Sequence, residues 1–243
     1  MNTYPSTIQL PKKISPCPIT EAIVELRFES DTPNDAVFGI VYQTFKTDYP
    51  VSEELPILQI PEIIRKQDKA SHYRPYYKLT NNDGFLFQVG PKVLSLISIA
   101  PYAGWEEFNR RLKDLVEKVK GLDIVKSYTR IGIRYINKFS LNVFDIVNLQ
   151  IKLPSHPLTN CETFVSSEIP TGDFKSTLQI SNSVTSTQKG QNVKYSIIDI
   201  DTFVENPQGE INVLINKGHL EEKKLFFALL KPDFVKSNLS PEY

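Results

Sequence analysis

The chain is poor in the residues that build the commonest reactive centres. Only two cysteines, Cys17 and Cys161, occur among 243 residues. They have no Cys-x-x-Cys spacing, so they fit a reducing compartment and read as small core residues in place of a disulfide. The three histidines, His72, His156 and His219, form no His-Glu-x-x-His pattern, which excludes the zinc-protease helix. The ten glycines are scattered singly, so neither a phosphate-cradling loop nor a dinucleotide fingerprint is present. No Ser, His and acid trio stands in a recognisable local context.

Charge of one sign is missing as well. Lys and Arg total 28 and so do Asp and Glu, which removes the field expected of a dedicated nucleic-acid or anionic-membrane binder. No apolar window reaches the length of a membrane span. The first nineteen residues, with prolines at 5, 11, 16 and 18, lack the apolar run of a secretory leader. A cytoplasmic protein without a membrane segment is expected.

What is present can fill a sizeable core: 40% of the residues are hydrophobic, with 14 Phe and 11 Tyr. Apolar and charged residues alternate over 20–29, which predicts a half-buried strand. A helix is expected over 34–47, and a long connection or short edge element over the Pro-interrupted 49–69. Runs at 73–79, 85–89 and 93–100, separated by Asn81-Asn82-Asp83-Gly84 and Gly90-Pro91, read as a three-strand meander. Gly104 and Gly121 bracket a helix over 105–120, whose Trp105, Phe108, Leu112, Leu115 and Val119 form one stripe. The order then repeats: a strand at 128–138, a short helix at 141–148, and strands at 164–168, 174–183 and 193–203 with a turn at 189–192. A last helix at 218–230 has Leu220, Leu225, Phe226, Leu229 and Leu230 inward.

Ser95-Leu96-Ile97-Ser98-Ile99 echoes Ser196-Ile197-Ile198-Asp199-Ile200, Leu26-Arg27-Phe28 echoes Ile133-Arg134-Tyr135, and Gly104-Trp105-Glu106-Glu107 echoes Gly218-His219-Leu220-Glu221-Glu222. The expected fold is therefore α+β, a duplicated β-α-β-β-β-α unit in a mostly antiparallel sheet with helices on one face. Residues 1–18 form an extended arm, 19–121 the first repeat, 122–235 the second and 236–243 a tail, with one core shared between the repeats.

Three constellations can carry chemistry or recognition. Asp199 and Asp201, two apart on a strand, face the same side and can hold Mg²⁺ or an acid and base, or simply line a solvated face. Arg27, Arg130 and Arg134, with Gly132 between the last two, can bind a phosphate or carboxylate, or pair with Glu21, Glu25 and Glu29 across strands. Tyr73, Arg74, Tyr76 and Tyr77 have the composition of a contact surface, or of a base-stacking platform for single-stranded nucleic acid, and also that of a half-buried edge strand. His219 is read as packing at a helix start.

The pieces Pro18-Ile19-Thr20-Glu21-Ala22-Ile23-Val24-Glu25-Leu26-Arg27-Phe28, Gln88-Val89-Gly90-Pro91, Pro101-Tyr102-Ala103-Gly104-Trp105-Glu106-Glu107-Phe108, Arg134-Tyr135-Ile136-Asn137, Asp199-Ile200-Asp201 and 219–227 give the chain a resemblance over most of its length. It resembles a family of sporadically distributed prokaryotic proteins of unknown function. The resemblance implies a bacterial or archaeal cytosolic protein with no activity to carry over, and its motifs include Arg134, Asp199 and Asp201. The leading expectation is a non-catalytic protein-binding component, in a toxin–antitoxin or phage-defence setting, with a protein partner and homodimerisation through edge strands. The rival is a metal-dependent phosphoester enzyme using Mg²⁺ on Asp199 and Asp201 with Arg130 and Arg134. A single-strand nucleic-acid binder is the third reading.

Overall fold

The computed structural model describes residues 9–153, 156–157, 161–188 and 191–243. The first part of the expected arm and part of the 189–192 turn lie outside them. The fold is α+β, a nine-stranded antiparallel sheet with six helices among the described residues. In chain order the elements are β1 (Ile19–Glu29), α1 (Asn34–Phe45), β2 (Val51–Glu54), α2 (Glu62–Gln67), β3 (Tyr77–Thr80), β4 (Phe85–Gly90), β5 (Val93–Ile99), α3 (Trp105–Lys120), β6 (Ser127–Phe139) and α4 (Val143–Ile146). A two-stranded pair, β7 (Lys152–Leu153) and β8 (His156–Pro157), precedes β9 (Thr163–Thr171), β10 (Phe174–Gln188), β11 (Gln191–Glu205), α5 (Ile211–Leu229) and α6 (Pro232–Asn238). The strands lie in the order β2-β3-β4-β5-β1-β6-β11-β10-β9.

The chain divides into two compact units of interleaved segments. One is made of residues 21–133 and 203–216, the other of 1–20, 134–202 and 217–243.

In the first of these units, β1 buries Ala22, Val24, Leu26 and Phe28 and leaves the alternate residues partly exposed, as the period of two requires. Phe45 of α1 packs on Phe87, and Phe108 of α3 on Phe85. Phe85 and Phe87 are two apart on β4, so α1 and α3 cover the same face of that strand. Gly104 begins α3 at φ 90°, a backbone that favours glycine. The helix carries Glu106 and Glu107 in its first turn and Lys118 and Lys120 in its last, complementing the macrodipole.

In the other unit, Phe139, Val143, Ile146, Leu178, Ile180, Ile198, Ile200, Leu225, Phe226 and Leu230 form the core, closed by Val235 and Leu239 around α6. Its polar seams are internally satisfied. Ser176 hydroxyl bonds both Thr171 and Thr202, and Asn182 Oδ1 accepts from Val143 N–H and Ser196 Oγ.

The last helix departs from the sequence reading. It begins at Ile211, seven residues before Gly218, because Glu210 accepts from the N–H groups of Asn212 and Val213 and caps the helix there. Gly218 is therefore a mid-helix residue, and its echo of Gly104 does not hold. His219 is likewise mid-helix, half-buried, with its Nδ1 3.0 Å from the Tyr135 hydroxyl. Leu220, expected inward, is exposed. The inner stripe runs Ile211, Ile215, Gly218, Glu222, Leu225 and Phe226. Both cysteines, expected in the core, are exposed free thiols, Cys17 on irregular chain just before β1 and Cys161 two residues before β9. No helix among the described residues is long and apolar enough to cross a membrane.

Glu222 is 4% exposed and makes no side-chain hydrogen bond among the described residues. Burial raises its carboxyl to about 8, and burial lowers His219 to about 3, with Lys223 adding to the latter. Between pH 4.5 and 8 the unfolded Glu222 has lost a proton that the folded one keeps, so stability falls as pH rises. Between pH 3 and 6.5 the unfolded His219 holds a proton that the folded one lacks, so stability rises with pH. The two slopes, each roughly 1.4 kcal/mol per pH unit, oppose one another from 4.5 to 6.5. Above 6.5 only the loss remains. Urea unfolding of Glu222→Gln should show a higher midpoint than wild type at pH 8 and a smaller difference at pH 5. An equal difference at both pH values would contradict the buried neutral carboxyl.

Candidate functional site

The face of β1 opposite its buried residues carries Glu25 and Arg27. Glu25 Oε1 accepts from Arg27 Nε at 2.7 Å and from Arg130 Nη1 at 2.9 Å. The Arg130 guanidinium also lies 4.4 Å from the Phe203 ring centre, and its side chain is only 13% exposed. Arg27 and Arg130 thus meet on one carboxylate, while the Arg27 guanidinium sits 5.4 Å from the ring of Tyr73.

Arg134 belongs to the other compact unit and engages Asp199. Its Nε donates to Oδ1 at 2.8 Å and its Nη2 to Oδ2 at 2.6 Å. This is a fork-on-fork pair with the Asp199 side chain 11% exposed. Both carboxylate oxygens are held by the guanidinium, so a cation at Asp199 would compete with an arginine already in place. Among the described residues no group of three or more His, Cys, Asp or Glu is arranged to hold a metal.

The Tyr-rich segment is built differently from the strand that its sequence predicts. Residues Lys69–Tyr73 form a 3-10 turn, anchored where Asp68 accepts from Ala70 N–H and Ser71 Oγ. Tyr76 makes the first ladder bonds, its N–H to Val89 O and its C=O from Leu55 N–H, and β3 proper starts at Tyr77. Pro75 has no N–H for a ladder, and the carbonyl of Arg74 rests on Gly90, where any Cβ would collide with it and come within 2.8 Å of Val93 Cγ1.

Each tyrosine has a partner in the fold. Tyr73 donates to Glu29 Oε1 at 3.1 Å, and Lys92 donates to the other oxygen of that carboxylate. Lys92 first, and Tyr73 after it, hold the Glu29 carboxyl below the usual range. The Tyr76 ring lies 4.8 Å from the Arg65 guanidinium, and Tyr77 stacks on Phe38 with centroids 3.6 Å apart. Of the four interface candidates, only Arg74 is classed as exposed.

The Arg65 contact brings α2 beside this motif. No residue of α2 is buried, and Ile63 and Ile64 are 69% and 52% exposed. Sequence reasoning passed over both because prolines at 50, 56 and 61 obscured the pattern. The spacing of Ile57, Ile60, Ile63 and Ile64 at three and four residues was the available signal. Ile57, the one of these that is buried, fastens the segment to the unit.

The chain matches no family model and no curated protein.

Gly90→Ala should force Arg74 away from β4 and loosen the Tyr73–Glu29 bond. The expected result is a loss of roughly 1–3 kcal/mol in chemical unfolding, with amide exchange accelerated over 69–76. Unchanged stability and exchange would contradict the close approach.

Proposed function

We propose that this protein is a non-catalytic binding component whose α2, braced against the Tyr-rich segment, is a docking surface for another protein. The observation that carries the reading is the adjacent exposed pair Ile63 and Ile64, held on a short helix by the Arg65–Tyr76 contact. Scattered apolar residues are ordinary on any surface, but two neighbouring isoleucines on a helix with no buried residue contribute nothing to the core. Covering what remains exposed of both would contribute on the order of 1–2 kcal/mol each, enough to act as anchors of a small interface. Arg65 and Lys66 follow them directly on α2, charged neighbours of the kind found in a polar rim.

Arg130 and Arg134 are engaged by Glu25 and Asp199 of neighbouring strands, which fits a role for these charges in strand pairing. The test is affinity capture from the source cell with the full chain as bait, compared with an Ile63→Asp/Ile64→Asp variant. One protein recovered in fixed ratio with the wild type and at least tenfold less with the variant is expected. Native mass spectrometry that finds no bound protein, or equal recovery by the two baits, would overturn the reading.

A further inference from the structure

The nine-residue strand β9 ends the sheet. It pairs with β10 along its whole length, from Thr171↔Phe174 to Thr163↔Asn182, and among the described residues its other edge has no strand beside it. Alternate N–H and C=O groups along that edge, Pro170 lacking the N–H, are therefore available to a further strand. The strand at the opposite end of the sheet, β2, is short and carries Glu53 and Glu54, with Glu53 bound to Lys78. Charges of this kind protect an edge from pairing. β9 has one charged residue, Glu168, which lies 3.5 Å from Lys175. It also exposes Phe164 at 64%, and its Val165 and Ile169 sit half-buried at the margin of the core.

We propose that β9 joins two copies of this chain by antiparallel pairing about a two-fold axis at Ser167. This inference goes beyond the α2 reading and stands on residues of the other compact unit. A two-fold perpendicular to the sheet keeps each side chain on its own face, so a residue can meet only a residue of the same parity. With the axis at Ser167, Val165 faces Ile169 of the second copy, Phe164 faces Pro170, and Ser166 faces Glu168. Apolar side chains then meet apolar ones on both faces, and the two Val165–Ile169 pairs extend the half-covered margin of each core. With the axis at Ser166, Glu168 falls on Phe164. With the axis at Glu168, two carboxylates oppose one another. Ser167 is the register in which the sequence of β9 complements itself.

The test uses the full chain in a Cys17→Ser/Cys161→Ser background. Sedimentation velocity at micromolar concentration is expected to show a dimer. Ser167→Glu, which sets two carboxylates together at the axis, should weaken association at least tenfold while circular dichroism stays unchanged. Ser167→Cys should form an intermolecular disulfide under mild oxidation, and Ser166→Cys should not. A monomer at that concentration, a dimer indifferent to Ser167→Glu, or equal crosslinking through Ser166→Cys would overturn the proposal. The Ile63→Asp/Ile64→Asp variant should remain dimeric, so loss of partner capture and loss of the dimer report on separate surfaces.

Discussion

Pairing of guanidinium with carboxylate across neighbouring strands is the constraint on which the middle of the sheet depends. Arg130 and Asp199 are mostly removed from solvent, and a charge so placed without its partner costs roughly 3–5 kcal/mol. Glu25 on β1 must therefore stay opposite Arg130 on β6, and Asp199 on β11 within reach of Arg134 on β6. A slip of one residue in either pairing would send the charge into the apolar face. These pairs fix register where side-chain packing alone tolerates exchange among Ile, Val and Leu. Of the arginines that resemble an anion site by composition, Arg130 and Arg134 pair with carboxylates of neighbouring strands, while Arg27 pairs with Glu25 of its own strand.

With Arg130 and Arg134 committed to carboxylates, the fold leaves other groups unused internally. The isoleucines of α2 and the edge of β9 lie outside both cores, and each is carried by a well-fastened element. α2 is held by Ile57 and by Arg65 on Tyr76, and β9 by a full ladder to β10. Rigid support of exposed apolar groups lowers the ordering cost of association. The buried Glu222 works in the other direction, since a leucine at that point of the stripe would pack without a desolvation cost.

Much of the fold was legible because local signals agreed. The helix Trp105–Lys120 has glycine at both ends, one apolar stripe and complementary end charges, and its limits match those read from sequence. β1 was equally clear from alternation alone. The α5 start was misread because Gly218-His219-Leu220-Glu221-Glu222 looked like the helix opening Gly104-Trp105-Glu106-Glu107, while the true cap, Glu210, follows a Pro207-Gln208-Gly209 stretch that reads as loop. Helical spacing sets the inner face: Glu222, three and four residues before Leu225 and Phe226, is buried with them, whereas Leu220, five and six residues before them, is exposed. The Tyr73–Tyr76 stretch failed as a strand for a tertiary reason, the contact of Arg74 with Gly90. The partner of Asp199 was beyond local reading, because Arg134 lies 65 residues away and meets it only once β6 and β11 are in register.

The strand-lock account is tested most directly by a double-mutant cycle in unfolding free energy on Arg134→Gln and Asp199→Asn. A coupling of at least about 1 kcal/mol, with the double variant still folded, is the result the account predicts. Additive effects within about 0.5 kcal/mol would contradict it and return these two residues to the pool of groups held ready for a ligand.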